Sequence, residues 1–146
     1  MSVDLIELWH QRARPTPTER DFQTQLGCHF EEVAEMLDAL IGVDDMSEYA
    51  LARVKSRLEL LAEGLKQGDI KLKITNRKDF LDSIADQVVT GVGVGHCAGM
   101  KTTEAVRRVN TSNWSKYDHE GKPIFDQNGK ITKGPNYEPP NLEGLY

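Results

Sequence analysis

Two groups of acidic residues have the types and spacing that could hold a metal ion. The segment EEVAE contains Glu31, Glu32 and Glu35. At about 100 degrees per residue in a helix, Glu31 and Glu35 lie one turn apart on one face and Glu32 flanks them. The second group is Asp82 and Asp86, also one helical turn apart. Because glutamate is common on exposed helix surfaces, EEVAE alone is more typical of a solvated acidic face.

The aspartates lie in a segment whose spacing predicts a helix. Apolar residues recur through it at helical intervals: Phe80, Leu81, Ile84, Ala85, Val88 and Val92. A helix this apolar is expected to be largely buried. Aspartate is a poor helix former, and like charges one turn apart destabilise a helix by about 0.2–0.5 kcal/mol. We therefore expect that Asp82 and Asp86 serve a function that offsets this cost.

Packing of this helix beside the EEVAE helix would bring five carboxylates together. Two carboxylates about 6 Å apart repel by about 3 kcal/mol at an effective dielectric constant of about 20, so a bound cation is expected. Mg2+, or Mn2+ in its place, suits oxygen ligands, and such sites usually handle phosphates. A zinc site formed by Cys28, His29, His96 and Cys97 is disfavoured, since their spacing matches no known ligand pair.

The predicted fold class is all-α, an antiparallel helical bundle. The EEVAE helix begins after a capping signal, Thr18 with Asp21, and has one apolar stripe made of Phe22, Leu26, Phe30, Val33, Leu37, Leu40 and Ile41. Helical patterns also occur in three other segments, Val3 to Trp9, Ser47 to Lys66 and about Thr102 to Val109. Gly68 is expected to end the helix that precedes it.

The stretch DSIADQVVTGVGVGH, from Asp82 to His96, fits a phosphate loop, a strand or a helix. The phosphate-loop interpretation fails, because the stretch has neither the Lys and Ser or Thr of a P-loop nor the GxGxxG fingerprint. Gly91, Gly93 and Gly95 each cost about 1 kcal/mol in a helix interior and favour a strand locally. The apolar spacing favours a helix, with the glycines marking places where another helix backbone approaches closely.

The composition changes after the last predicted helix and becomes rich in Gly, Pro, Asn and Asp. Within this part, PIFDQNGKIT has an Asn-Gly turn between short apolar runs, which predicts a β-hairpin. The chain is therefore expected to be one domain, with a helical body at about residues 1–109 and an irregular tail at about 110–146.

Length and composition limit the function classes. A chain of 146 residues with 38% apolar and 28% charged residues is typical of one globular domain. A net charge of -5 disfavours a generic nucleic-acid binder. No apolar run approaches the roughly 20 residues of a membrane span, and the start MSVDLIELWH carries acids where a signal peptide is basic. The expected location is cytoplasmic, without a membrane partner.

Four features together resemble the MazG-like all-α nucleoside triphosphate pyrophosphohydrolases, particularly their small phage-type members: EEVAE, the second acidic helix, VNTSNWSK and GKPIFDQNGKITKGPNY. The resemblance extends from about Phe22 to Tyr137. It implies a helical fold assembled as a homodimer or homotetramer. It also implies Mg2+-dependent cleavage of a nucleoside triphosphate between the α and β phosphates, giving a monophosphate and pyrophosphate. For a phage-encoded protein the location would be the host cytoplasm.

The resemblance also assigns roles to the acidic residues. Glu32 and Glu35 would be metal ligands, with Asp86 as the aspartate of the second helix. Glu31 would bind a further metal or orient the attacking water, which makes it the candidate catalytic residue.

The chain departs from the family pattern at two points. The usual ExxD motif would place a glutamate at position 83, where this chain has Ser83, and Asp82 is expected to replace it as a metal ligand. The separation of Glu35 from Asp82 is also longer than usual, and the Ser47 to Lys66 helix with its linkers would account for it.

The substrate side is expected to involve the start of the tail. Asn110, Asn113 and Lys116 match the family's substrate-binding pattern, in which amides can read a base or sugar and an ammonium can neutralise a phosphate. His29, one turn before the acidic cluster, could approach the nucleotide or simply pack within the helices.

Three other functions fit the same residues. Phosphoribosyl-ATP pyrophosphohydrolase or dUTPase-like activity would use the same fold. A non-enzymatic helical adaptor would use the acids as a solvated surface and the tail as a partner-binding segment. Single-stranded nucleic-acid binding through the tail aromatics and lysines is weakened by the acidic charge.

Overall fold

A computed structural model describes residues 2–146 and contains five helices there. They are α1 (Ser2–Ala13), α2 (Glu19–Asp38), α3 (Asp45–Gln67), α4 (Arg77–Cys97) and α5 (Thr102–Trp114). No strand occurs among the described residues, so the predicted all-α class is confirmed. α5 continues beyond the predicted end at Val109 as far as Trp114. Two of the polar residues in this extension, Asn110 and Ser112, are buried.

The chain divides into two compact units. The first unit comprises the described part of Met1–Thr16 with Ile74–Ile124 and Ile131–Tyr146, and therefore contains α1, α4 and α5. The second unit comprises Pro17–Lys73 and Phe125–Lys130, and therefore contains α2 and α3. The tail contributes to both units.

The second unit is a helical hairpin whose ends are capped as the sequence indicates. Thr18 and Asp21 form the predicted capping box at the start of α2. The Asp44 side chain accepts a hydrogen bond from Ser47 N at the start of α3. At the other end, Gly68 has a left-handed conformation, with φ of 91°, and its amide donates to Gly64 O. A residue with a side chain would be strained there, so glycine gives α3 a definite end.

Small residues form the seam between α2 and α3. Gly27 and Ala34 of α2 are buried, as is Ala62 of α3, and Leu65 is fully buried beside them. A Cβ atom built on Gly27 would lie 2.8 Å from Ala62 O, which shows how closely the backbones approach. The predicted apolar stripe is only partly buried. Its first five members, Phe22, Leu26, Phe30, Val33 and Leu37, are half-buried, whereas Leu40 and Ile41 lie beyond the end of α2 and are exposed, Ile41 by 86%.

Polar side chains of α2 hold the chain that leaves α3. Gln23 Nε2 donates to Leu72 O at 2.6 Å and Gln23 Oε1 accepts from Leu72 N at 2.9 Å. Arg20 Nη1 donates to Leu65 O at 3.0 Å, and its Nη2 donates to Lys66 O. Because Gln23 is buried, these bonds satisfy groups that could not reach water.

An aromatic core holds the first unit together. Trp9 of α1 and Tyr117 after α5 are buried and stacked, with ring centroids 5.7 Å apart, and Ala13 and Ile131 complete the cluster. Trp9 Nε1 donates to Asn113 O at 2.9 Å, and Tyr117 Oη donates to Trp9 O at 2.6 Å. Both polar groups of these large rings are thus satisfied inside the core.

The stretch with three interpretations is a helix, α4, as its spacing predicts. Its predicted burial was wrong: among the described residues, none within Arg77–Cys97 is buried, and Leu81 and Val89 are each 69% exposed. A Cβ atom on Gly91 or Gly93 would meet nothing within 4 Å, so the predicted close approach is absent there, whereas a Cβ atom on Gly95 would clash with the side chain of Thr102 in α5. Apolar spacing identified the helix, but it did not show which elements cover it.

Two loops of the tail have the same five-residue design, DHEGK at 118–122 and DQNGK at 126–130. In each, the aspartate amide donates to the lysine carbonyl at 2.9 Å, and the aspartate Oδ1 accepts bonds from amides two and four residues later. Each glycine has positive φ, 73° at Gly121 and 78° at Gly129. The Asn-Gly turn of the predicted hairpin is confirmed, but Phe125 and Ile131 on either side of it are isolated bridge residues rather than strands. The repeat was missed by the sequence reasoning.

We expect Gly27→Ala to destabilise the protein. The added methyl group would press on a backbone oxygen, and overpacking of this kind costs about 1–3 kcal/mol. This cost exceeds the gain of about 1 kcal/mol for alanine in a helix interior. Urea unfolding followed by circular dichroism measures the change.

Gly91→Ala is the matched control, because nothing described lies within 4 Å of its added Cβ. It should raise the free energy of unfolding by about 0.5–1 kcal/mol. Equal effects of the two substitutions would contradict the close approach at Gly27.

Candidate functional site

The acidic face of α2 borders a groove of about 350 Å³ between α2 and α3. Three carboxylates from α2 and two from α3 line it, with one lysine: Glu31, Glu35, Asp38, Glu59, Glu63 and Lys66. The small residues Ala34 and Ala62 also line the groove. The groove therefore has acids on both walls and small side chains between them.

Helical spacing explains how these acids come together. Glu31, Glu35 and Asp38 follow each other at intervals of four and three, and Glu59 and Glu63 are one turn apart. The sequence reasoning found Glu31 and Glu35 but missed the other three. The signal was present, because the acidic spacing continues from EEVAE to Asp38 and recurs in α3.

Two lysines hold the carboxylate of Glu31. Lys66 Nζ donates to Oε1 and Lys130 Nζ donates to Oε2, each at 2.7 Å. Lys66 also lies 3.4 Å from Glu63 Oε2. The Glu31 and Lys66 side chains are mostly buried, with 26% and 13% of their surfaces exposed. The pairs are therefore less screened than those on an open surface.

These contacts shift the pKa values of all three groups. Burial acts to raise the pKa of Glu31, but the hydrogen bonds and charges of Lys130 and Lys66 outweigh it and lower the pKa. For Lys66 and Lys130, burial acts to lower the pKa, and the bonds to Glu31 with the nearby acids raise it overall. All three groups are charged at neutral pH.

A third lysine joins the two helices further along the groove. Lys55 Nζ forms an ion pair with Asp38 Oδ1 and lies 3.6 Å from Glu59 Oε1. The bond to Asp38 raises the pKa of Lys55. Within residues 2–146 no ion pair is formed by Glu35, so this groove carboxylate is not matched by a lysine.

The remaining α2 candidates have different surroundings. Glu32 is exposed, and its charge contributes to the raised pKa of Lys130. His29 is half-buried, with its ring centroid 6.2 Å from that of Phe30 and the rings tilted by 54°. The structure thus places His29 against an aromatic neighbour, and its substrate role stays a prediction.

The second acidic pair lies in the other unit. Asp82 and Asp86 are exposed on α4. Asp86 also accepts, through its backbone oxygen, a hydrogen bond of 2.9 Å from Thr90 Oγ1. Among residues 2–146, no three His, Cys, Asp or Glu side chains form a group that could hold a metal ion. The convergence of the five carboxylates stays a prediction.

Of the predicted substrate residues of the tail, Asn110 and Asn113 lie in α5 and Lys116 follows it, and Asn113 and Lys116 contact Trp9. Asn110 is buried, and the backbone oxygen of Asn113 accepts the indole proton of Trp9. Lys116 Nζ lies 5.9 Å from the Trp9 ring centroid, within cation–π range. The structure brings Asn113 and Lys116 to one end of α5. Trp9, which connects them, was not a candidate from the sequence.

The chain has no match among protein-family models, curated proteins or solved structures. The resemblance to MazG-like enzymes therefore stays a prediction from the sequence motifs. No helix within residues 2–146 combines the length and apolar character needed to cross a membrane.

We expect Glu31→Gln to lower the free energy of unfolding by about 1 kcal/mol at neutral pH, because both lysines lose their charged partner. The lowered pKa of Glu31 means that its contribution is present above its ordinary value of 4.5 and is lost as pH falls through the lower folded value. Urea unfolding at about pH 7 and about pH 3 measures both effects, and the difference from wild type should shrink at the lower pH.

Glu32→Gln serves as control, since it removes an exposed neighbouring charge from the same helix. It should change the free energy of unfolding by less than about 0.5 kcal/mol. If the two variants lost equal stability, the pairing of Glu31 with the lysines would contribute nothing specific.

Proposed function

We propose that the protein is a Mg2+-dependent nucleoside triphosphate pyrophosphohydrolase, which cleaves NTPs or dNTPs between the α and β phosphates. The observation that carries the proposal is the groove between α2 and α3, where Glu31 and Glu35 of EEVAE face acids of α3 and a lysine. Carboxylates alone would repel a triphosphate, so a metal and cationic side chains are both required.

The groove offers the donor type that a hard cation takes, carboxylate oxygen, although no three acids among residues 2–146 form a metal-binding group in this structure. Its walls offer carboxylate oxygens from both helices, and Mg2+ prefers oxygen ligands, with Mn2+ as a substitute. We assign Glu32 and Glu35 as ligands from α2, and Asp82 and Asp86 as ligands from α4. When bound, the ion would neutralise triphosphate charge and lower the pKa of an attacking water.

Glu31 is our candidate for the residue that holds the attacking water, or for a further metal ligand. Its lowered pKa keeps it ionised at neutral pH, so each oxygen can accept a hydrogen bond. Both oxygens accept bonds from lysines in this structure. Each oxygen has a second lone pair, so a water can be held beside the lysines, whereas a metal ion at Glu31 would repel the two ammonium groups toward other acceptors such as phosphate oxygens.

Residues outside the groove would complete the substrate-binding site. We assign Asn110, Asn113 and Lys116 to the base, sugar or phosphate of the nucleotide, and His29 to its approach to the acids. Activity on phosphoribosyl-ATP or dUTP would use the same acids. We also propose a cytoplasmic location, that of the host if a phage encodes the protein, because nucleoside triphosphates are found there.

Exposed apolar residues support assembly into a homodimer or homotetramer of the bundle type. The loop between α2 and α3 exposes Leu40, Ile41 and Val43, with Ile41 at 86% and Val43 at 93%, and the helix turns beside it expose Met36 and Met46. Contiguous apolar surface on a protein commonly marks an interface. Two helical hairpins joined through this surface would form a helical bundle with a larger buried core.

We expect pyrophosphate and monophosphate to be released from common NTPs or dNTPs with Mg2+ or Mn2+, and not with EDTA. Glu35→Gln should lower kcat/KM by at least about 100-fold, because it removes a ligand charge from the groove. Coupled pyrophosphate detection and chromatography of the nucleotide products measure the reaction.

Glu7→Gln is the matched control, since Glu7 is an exposed helix glutamate of the first unit. It should retain the wild-type rate. Release of single phosphates, or equal rates for Glu35→Gln and wild type, would count against the proposed reaction.

We expect light scattering after size-exclusion chromatography to give the mass of a dimer or tetramer. Ile41→Lys should shift the population toward the monomer, because a charge would be buried at the interface. Val3→Lys is the control. It places the same charge on an exposed apolar residue of α1 and should leave the mass unchanged. A wild-type monomer at micromolar concentration would rule out the assembly.

A further inference from the structure

Glu31, Lys66 and Lys130 form an unusual cluster, in which one carboxylate holds two ammonium groups. A single lysine would neutralise Glu31, and two ammonium groups on one carboxylate repel each other. The neighbouring acids offset this repulsion. Glu63 lies 3.4 Å from Lys66, and the charge of Glu32 acts on Lys130. A cation bound by Glu32 and the groove carboxylates would reduce that offset and leave the lysines able to attract an anion.

The two lysines reach Glu31 from separate elements. Lys66, in the last turn of α3, passes over Gly27, where a Cβ atom would lie 2.8 Å from Lys66 Cγ. Lys130 ends the DQNGK loop, and its amide donates to Asp126 Oδ1 at 2.9 Å. A close helix contact and a tight loop thus position the ammonium groups before any ligand binds.

The loop itself is attached to α2 by a second bond. Thr24 Oγ1, which is buried, donates to Asn128 O at 2.9 Å. Thr24 and Glu31 are seven residues apart, so both lie on one face of α2. The loop therefore lies along this face and presents Lys130 next to EEVAE.

Both lysines can donate to an incoming ligand. Lys66 lines the groove together with Glu35, and the Lys130 side chain is 41% exposed. An ammonium group has three protons, and the bond from Lys130 to Glu31 uses one of them. Lysine is a usual binder of phosphate, acting as a flexible point charge.

We propose that Lys66 and Lys130 form a phosphate-binding pair that receives the triphosphate chain of the substrate, and that Glu31 is their positioning residue. The inference rests on the proposed function. It adds two cationic side chains to the predicted substrate residues, and it makes phosphate binding depend on prior occupation of the groove carboxylates by a cation. No covalent step is involved, since phosphate oxygens accept hydrogen bonds from the two ammonium groups.

The test is calorimetric binding of inorganic tripolyphosphate to the full chain with excess Mg2+. Lys130→Met should weaken binding by about tenfold, because it removes one charged hydrogen bond to phosphate. Lys130→Gln, which loses the charge but keeps a donor, should fall in the same range, and Lys130→Arg should stay within about threefold of wild type. Circular dichroism on the same samples checks folding.

Lys133→Met is the matched control, because Lys133 is an exposed tail lysine whose Nζ lies 4.8 Å from the Tyr137 ring centroid. It should bind tripolyphosphate as wild type does. Equal weakening by Lys133→Met, or unchanged binding by both neutral Lys130 variants, would overturn the pair.

Glu31→Gln tests positioning through the sign of its effect. Removal of a negative charge should tighten anion binding if Glu31 acts only through its charge. If Glu31 holds the lysines in place, binding weakens instead. Tighter or unchanged binding of tripolyphosphate would overturn the positioning role.

Nucleotide turnover separates this inference from the proposed reaction. With a hydrolysed NTP, Lys130→Met should raise KM by about tenfold and leave kcat within about threefold. Lys130-dependent tripolyphosphate binding without pyrophosphate release from any nucleotide would overturn the reaction and support the phosphate-binding pair. Turnover with an unchanged KM in Lys130→Met would support the reaction and overturn the phosphate-binding pair.

Discussion

The close approach of α2 and α3 at Gly27 determines how the charged side chains of the second unit are placed. Because Gly27 has no side chain, the backbone of α2 comes near Ala62 O and the stem of Lys66 crosses the seam. The ammonium of Lys66 then reaches Glu31, one turn further along α2. A wider seam would separate the acids of the two helices and move Lys66 away from Glu31. The geometry of the groove therefore depends on the absence of a side chain at Gly27.

Lysines offset part of the negative charge of the groove carboxylates. Lys55 pairs with Asp38 and Glu59, while Lys66 pairs with Glu31 and Glu63. Each of these lysines contacts acids from both helices, so it offsets like-charge repulsion and also ties α2 to α3. Glu35 has no such partner among residues 2–146. Among residues 2–146, four of the five groove acids therefore pair with lysines, and Glu35 does not.

The sequence predicted the helices better than their surroundings. Apolar spacing identifies α4, and the capping residues Thr18 and Gly68 mark helix ends, because these signals are local. Burial is not local. The apolar spacing of α4 indicates a face that needs a partner, but none of its described residues is buried within the chain, and the seam of α2 uses Gly27 and Ala34 instead of the large apolar stripe.

The candidate site shows the same limit more sharply. EEVAE indicates an acidic helix face, but nothing near Glu31 in sequence indicates that its partners are Lys66 and Lys130. Lys130 is placed by the DQNGK loop, whose hydrogen bonds closely match those of DHEGK.

The two loops differ in what they contact. Gly121 O of the first accepts a bond from Arg12 Nε, and Asn128 O of the second accepts one from Thr24 Oγ1. Loop geometry alone therefore does not determine function. The second loop gains its proposed role from the helix to which it is bound. That helix carries Glu31 on the same face as Thr24, about two helical turns further along.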